Sequence, residues 1–326
     1  MVIIDKVYLI NLDRRPDRLE NMKKKLKDMG GIFNNFNRFQ AIDGNNITDD
    51  QILNLCSTNT INSLKNKFHL HADIRSKAGI GCYLSHYNVW LDIIKNNYNN
   101  VLILEDDTFT DLSYKEIMQY IDTLPEDYDI AFLSYYNFNK TISPTTHVNQ
   151  KWIKSDGYTF YNMDSYIISN KGAKLFVEKA LPISNQVDSY INVLCSLNKN
   201  IKRYFSSNIL FFQNRAEYGT DIQDICKICD LNKYADFSSS DIEFLENVKA
   251  IYGIETFEQL MQMENFDILN NNLILPEVKQ TIQSPACPVL QESFFNNSKY
   301  FTLLTIIIAF IMFLGSVIYI NKKQKE

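Results

Sequence analysis

Three consecutive carboxylates, Glu105-Asp106-Asp107, follow directly on an apolar tetrapeptide, Val101-Leu102-Ile103-Leu104. A short apolar run bounded by polar residues reads as a buried strand, and a strand ending in clustered acids delivers them to the crevice at a sheet's carboxyl edge. Acids held that close repel one another unless positive charge sits among them. A hard divalent cation, Mn2+ or Mg2+, would supply it, because such ions prefer oxygen ligands and bind phosphate oxygens. The plain alternative is a solvated turn after a strand, and the tripeptide alone does not decide between the two.

Other polar groups are placed to share such a crevice. Asn11, Asp13, Arg14 and Arg18 follow the first apolar strand, and Asp43 follows the second. Transfer of a sugar from a nucleotide donor would use both sets. A metal held by the acids would neutralise charge developing on a diphosphate leaving group, and the base and ribose need polar groups at a neighbouring strand end. Arg14, Arg15 and Arg18 read equally well as surface cations at a helix start.

The elements that must position these groups alternate through the first two thirds of the chain. Val7 to Leu12 is an apolar strand, and Pro16 opens a helix that Gly30-Gly31 stops near Met29. Phe36 to Ile42 resumes as a strand and breaks at the turn dipeptide Asp43-Gly44. Asn45 to about Lys77 is polar and weakly periodic, a long excursion that could cover the site. Ile80, Leu84, Tyr87, Trp90, Leu91 and Ile94 fall at helical spacing just before the Val101 strand. Beyond the acids, Asp129 to Ser134 and the Tyr-rich Tyr158 to Ser169 read as extended. Lys171 to Ala180 reads as a helix, and Asp188 opens another. This order predicts an α/β sheet, mainly parallel, with right-handed crossovers. No internal repeat is visible.

At 326 residues and 45% hydrophobic content the chain can bury a substantial core, and a net charge of -5 excludes the basic surface that nucleic acid requires. The six cysteines have no framework spacing and suit reduced thiols; Cys226-Lys-Ile-Cys229 stands alone, without the second pair a zinc site needs. The N-terminus reads as the first strand rather than as a signal peptide. Residues 221–275 are acidic and helical in pattern, and 276–300 hold Pro285 and Pro288 and read as a linker. Phe301 to Ile320 is uncharged, apolar and long enough to cross a bilayer, and 321–326 form a basic tail. A C-terminal anchor without a signal peptide puts the body in the cytosol. The lysines, by the positive-inside tendency, argue for a lumenal body, with less weight because the tail is short. The bias towards Asn, Lys and Ile suits an AT-rich genome, such as that of a large DNA virus or a protist.

Four blocks occur in order: Val7-Tyr-Leu-Ile-Asn-Leu-Asp-Arg-Arg-Pro-Asp-Arg18, Phe39-Gln-Ala-Ile-Asp-Gly44, Gly81-Cys-Tyr-Leu-Ser-His-Tyr-Asn-Val-Trp90 and Leu102-Ile-Leu-Glu-Asp-Asp107. Together they resemble glycosyltransferase family 25, the family of procollagen and lipooligosaccharide galactosyltransferases, with the Gly81 block closer to the collagen-modifying branch. Asp164-Ser-Tyr-Ile-Ile-Ser-Asn-Lys-Gly-Ala173 and Gln186-Val-Asp188 are similar to later blocks, so the likeness spans about residues 2 to 215.

The resemblance implies a GT-A type domain over 1–220, Rossmann-like, with a mixed sheet flanked by helices. It also implies a UDP-sugar donor, UDP-galactose or UDP-glucose, a divalent metal, inversion at the anomeric carbon, and an acceptor hydroxyl on a collagen-like protein or a glycan. Glu105 and Asp107 match the metal ligands, with Asp106 beside them facing the diphosphate. Inversion needs a base, for which Asp188 is the first candidate, Asp164 the second; Asp188 reads equally well as a helix cap. Ser85 and His86 are expected beside the donor, His86 as a catalytic-site group or equally a structural histidine, and Lys77 near its phosphates or as a surface cation. One departure stands out: where the family commonly carries Gly-Glu, this chain has Ala78-Gly79. A catalytically inactive, tail-anchored binding protein is therefore the alternative reading, and hydrolysis of the nucleotide sugar a third.

Overall fold

The first apolar run forms β1 (Lys6–Asn11), and Pro16 at the first helical position opens α1 (Pro16–Met29), which stops at Gly30 with φ 77°. The computed structural model describes residues 2–65, 72–135, 146–154 and 160–222. After β2 (Asn37–Gln40), the stretch read as a featureless excursion holds two short helices, α2 (Asp49–Leu55) and α3 (Thr58–Ser63). Each is capped by a hydroxyl, Thr48 and Ser57, but so short that it leaves no periodicity to read.

Next come α4 (Lys77–Asn96), β3 (Asn100–Glu105), β4 (Thr108–Phe109), α5 (Tyr114–Ile121) and β5 (Ile130–Phe132). They are followed by β6 (Thr146–His147), β7 (Trp152–Lys154), β8 (Ser165–Ser169), α6 (Asn170–Glu178) and α7 (Val187–Leu197). Three short elements close the described chain: β9 (Arg203–Ser206), β10 (Phe212–Gln213) and α8 (Arg215–Tyr218).

Eight strands form one sheet in the order β2-β1-β3-β8-β5-β9-β7-β6, and β4 pairs with β10 separately. The sheet is mixed rather than mainly parallel. β1 runs parallel to β2 and β3, but β8 enters antiparallel between β3 and β5.

Both faces are covered, which is why the strands read as continuous apolar runs. On one face Tyr8, Ile103, Phe132 and Tyr166 meet Tyr83 and Trp90 of α4, Phe176 of α6 and Ile191 of α7. On the other, Leu9, Leu102, Leu104 and Ile167 meet Met22 and Leu26 of α1 and Ile117 and Ile121 of α5. The result is a three-layer, Rossmann-like α/β arrangement. Among the described residues no helix is long and apolar enough to cross a membrane. The segment 301–320, the linker, the helical pattern after residue 222 and the Cys226/Cys229 pair lie outside the described residues. Cys56, Cys82 and Cys195 are free thiols.

Candidate functional site

The parallel register pairs Ile10 with Glu105, so Asn11 and the acids leave the sheet side by side at its carboxyl edge. The start of β8 lies at the same edge, where the Glu105 amide donates to the Asp164 carbonyl at 2.8 Å. The N-terminal half of α4 forms the facing wall, and two glycines let it approach. A Cβ on Gly44 would lie 2.2 Å from the Lys77 carbonyl oxygen, and one on Gly81 2.5 Å from the Ile42 carbonyl oxygen. Ser85 Oγ fastens this contact by accepting from the Ile42 amide at 2.8 Å and donating to the Gly81 carbonyl at 2.7 Å.

The positive charge that the three acids demand is supplied in part by Arg18. Its Nη1 donates to Asp106 at 3.0 Å and to Asp107 at 3.4 Å, with all three side chains buried. Asn11 Nδ2 holds the second Asp106 oxygen at 2.7 Å and also donates to the Arg15 carbonyl, so it ties the acids to the start of α1. Burial pushes the Asp106 carboxyl up, and the hydrogen bonds from Arg18 and Asn11 only partly offset it.

Glu105 is oriented by a chain of donors. Trp90 Nε1 donates to the Tyr166 hydroxyl oxygen at 3.0 Å. The hydroxyl proton then points to His86 Nδ1 at 2.9 Å, which leaves Nε2 carrying the imidazole proton and donating to Glu105 Oε1 at 3.0 Å. This tautomer satisfies every group in the chain. Gln213, brought in by the β4–β10 pairing, donates to Glu105 Oε2 at 3.3 Å.

The crevice is lined by Asn11, Arg14, Arg18, Asp43, Ser85, His86, Glu105, Asp106 and Asp107 from the sequence-predicted set, and its cavity volume is about 100 Å3. Asp13, Lys77, Asp164 and Asp188 do not line it. Asp13 bonds Arg38 and Gln40 at the surface, and Lys77 reaches Asp49 and the Ile47 carbonyl.

Asp164 is fully buried, and no hydrogen bond of ordinary geometry reaches its carboxyl oxygens. Burial first, then the charge of Glu105, pushes it up to about 8, with the Ser134 hydroxyl opposing more weakly. A carboxyl protonated at neutral pH and shut off from the crevice is unsuited to accept a proton from a substrate hydroxyl. Asp188 is half-buried in the first turn of α7 rather than at its cap, which is Gln186, and accepts from the Asn162 amide at 2.9 Å. Its charge reaches Cys82: desolvation first, then Glu105, Asp188 and Asp107, push that thiol well above its ordinary value, although part of the residue remains accessible.

The sequence reading gave no role to Tyr166, Gln213 or Asp221. Tyr166 lies within the Asp164 to Ala173 stretch that resembles the family. The other two sit beyond any motif, and only the fold returns them to the crevice. Asp221 and Ile222 line it.

Glu105 and Asp107 line the cavity with oxygen donors of the kind a hard divalent ion takes; both oxygens of Asp106 accept from Arg18 and Asn11, and those of Glu105 accept from His86 and Gln213. Cys82, His86 and Glu105 also bring sulfur, nitrogen and oxygen within 4.8 Å of one another, a softer set that suits zinc better than magnesium.

The family model described as "Glycosyltransferase family 25 (LPS biosynthesis protein)" matches residues 4–191. The chain is 26% identical over 201 residues to a "Glycosyltransferase 25 family member" of Drosophila melanogaster, covering 60% of this chain and 32% of that protein. It is 28% identical over 201 residues to "Procollagen galactosyltransferase 1-A" of Xenopus laevis, covering 58% and 31%. Over 207 residues it is 23% identical to "Probable inactive glycosyltransferase 25 family member 3" of Bos taurus, covering 60% and 32%. The chain thus spans about a third of the length of the curated relatives it matches.

Proposed function

The chain belongs to glycosyltransferase family 25, and from that premise we propose a metal-dependent, inverting hexosyltransferase that moves galactose or glucose from UDP to a hydroxyl on a protein or glycan. The observation that supports this most is the meeting of the Glu105-Asp106-Asp107 carboxylates with Arg14 and Arg18 across one crevice at the sheet's carboxyl edge. The sheet order, with an antiparallel strand beside the acid-bearing one, supports a GT-A type domain.

Glu105 and Asp107 would hold Mn2+ or Mg2+, which when bound offsets charge on the departing diphosphate. His86 and Gln213 hold Glu105 from either side, so its carboxylate is oriented before any ligand arrives. Arg14 and Arg18 offer charge to the phosphates, and Asp43 holds Arg14 at 2.9 Å. Asp188 is the proposed base because it is partly accessible, whereas Asp164 is fully buried with its carboxyl pushed up to about 8. The name carried by the Xenopus relative makes a hydroxyl on a collagen-like chain the first acceptor to try. Residues 301–320 would anchor the body to a membrane.

The test uses the full-length chain with Mn2+ and a panel of UDP-hexoses. UDP release that rises with added acceptor supports transfer, and release without acceptor supports hydrolysis. Asp107→Ala is expected to lower transfer roughly 100-fold or more; full activity in that variant would remove the metal assignment.

A second reading, an inactive binding protein, is favoured by the absence of a carboxylate at Ala78-Gly79, of which Ala78 lines the crevice. It predicts neither turnover nor UDP binding.

A further inference from the structure

Three arginines at the start of α1 turn their spare nitrogens towards one carboxylate. Arg14 holds Asp43 with Nε and directs Nη1 to Asp221 at 2.7 Å. Arg15 holds Asp17 with Nε and Nη2 and directs Nη1 to Asp221. Arg18 holds Asp106 and Asp107 with Nη1 and reaches Asp221 with Nη2 at 3.0 Å. Each arginine therefore has its own fixed partner, and Asp221 is the one they share. Arg18 Nε is buried there without a hydrogen bond. Guanidinium groups converging on one oxyanion at a helix start form the arrangement that recognises phosphate groups.

Asp221 arrives on a short segment, 219–222, laid against the crevice. The Ser76 hydroxyl donates to the Ile222 carbonyl, and the Ile222 side chain lies over Gly79, within ordinary contact distance of where a Cβ would stand. With this segment in place the cavity volume is about 100 Å3, below the roughly 300 Å3 at which small-ligand sites begin.

We propose that Arg14, Arg15 and Arg18 form a diphosphate subsite whose resident occupant is Asp221, a strap that an incoming diphosphate displaces. The identification of that diphosphate as part of a nucleotide sugar rests on the transferase reading. The strap lowers apparent affinity by the fraction of molecules in which it is seated.

The full-length chain is titrated calorimetrically with inorganic pyrophosphate in the presence of a chelator. Asp221→Asn should bind roughly tenfold tighter than the unmodified chain. Ile222→Ser, which loosens the strap without changing any charge, should move affinity the same way by less. Arg14→Gln and Arg15→Gln should weaken binding in either background. Should Asp221→Asn fail to fold, Ile222→Ser decides. Affinity that is unchanged or weaker in the strap variants overturns the proposal and makes Asp221 an organiser of the arginines. If pyrophosphate binds tighter in Asp221→Asn while no UDP-hexose is turned over, the strap stands and the transferase reading falls.

Discussion

Arg18 sits where three carboxylates would otherwise face one another. Its side chain is 5% exposed and it contacts Asp106, Asp107 and Asp221, so Arg18→Ala leaves buried acids without their cation. Removing one partner of a buried pair costs about 3–5 kcal/mol, and chemical denaturation should show a loss of that size. Arg18→Lys should recover little, because one ammonium cannot reach what two guanidinium nitrogens reach.

Tyr166→Phe tests the donor chain: it strands Trp90 Nε1 and His86 Nδ1 and should cost about 1–3 kcal/mol. Nitrogen NMR should find the unmodified His86 protonated on Nε2; a proton on Nδ1 would refute the assigned direction. Asp164 yields a pH prediction. Its folded carboxyl is raised to about 8 from 3.8, so its contribution to stability is full below about pH 4 and lost as pH rises towards 8. Asp164→Asn should therefore melt higher than the unmodified chain near pH 8, with the gap closing towards pH 5, in chelator. Parallel melting profiles would show that Asp164 is ionised in the fold.

At the scale of elements, Gly44 and Gly81 set how near α4 comes to the turn after β2. A methyl group at either position meets backbone rather than a flexible side chain. Gly81→Ala should cost about 1–3 kcal/mol and weaken nucleotide binding in parallel, measured by thermal melts and UDP titration. Unaltered UDP affinity in a destabilised variant would separate this contact from the site.

The strands and helices that were legible carry strong local signals. β1 and β3 are continuous apolar runs, α4 carries a helical period, and Pro16 and Gly30 mark α1 at both ends. Those that escaped are short or depend on distant partners. β4 and β10 have two residues each and exist because Phe109 meets Phe212 across the chain. α5 was legible and overlooked: Ser113 and Glu116 form a capping box. In the site, the acids and Arg18 announced themselves through local sequence, whereas the Asp221 contact joins residues 207 positions apart and has no local sign.

At the scale of the molecule, the site draws on both ends of the described chain. The proposed metal and strap would act on neighbouring charges, which links their behaviours. Stripping divalent ions should abolish transfer yet leave the melting temperature nearly unchanged, because Arg18 already compensates Asp106 and Asp107. A large loss of melting temperature on chelation would instead make the ion a structural component.

The order in which the chain is made gives the strap a further meaning. The arginines leave the ribosome about two hundred residues before Asp221. Until it follows, the arginines have only Asp17, Asp43, Asp106 and Asp107 as partners. The proposed strap would thus close the arginine cluster late in synthesis, and a nascent chain stalled short of residue 219 should retain pyrophosphate more firmly than the finished one.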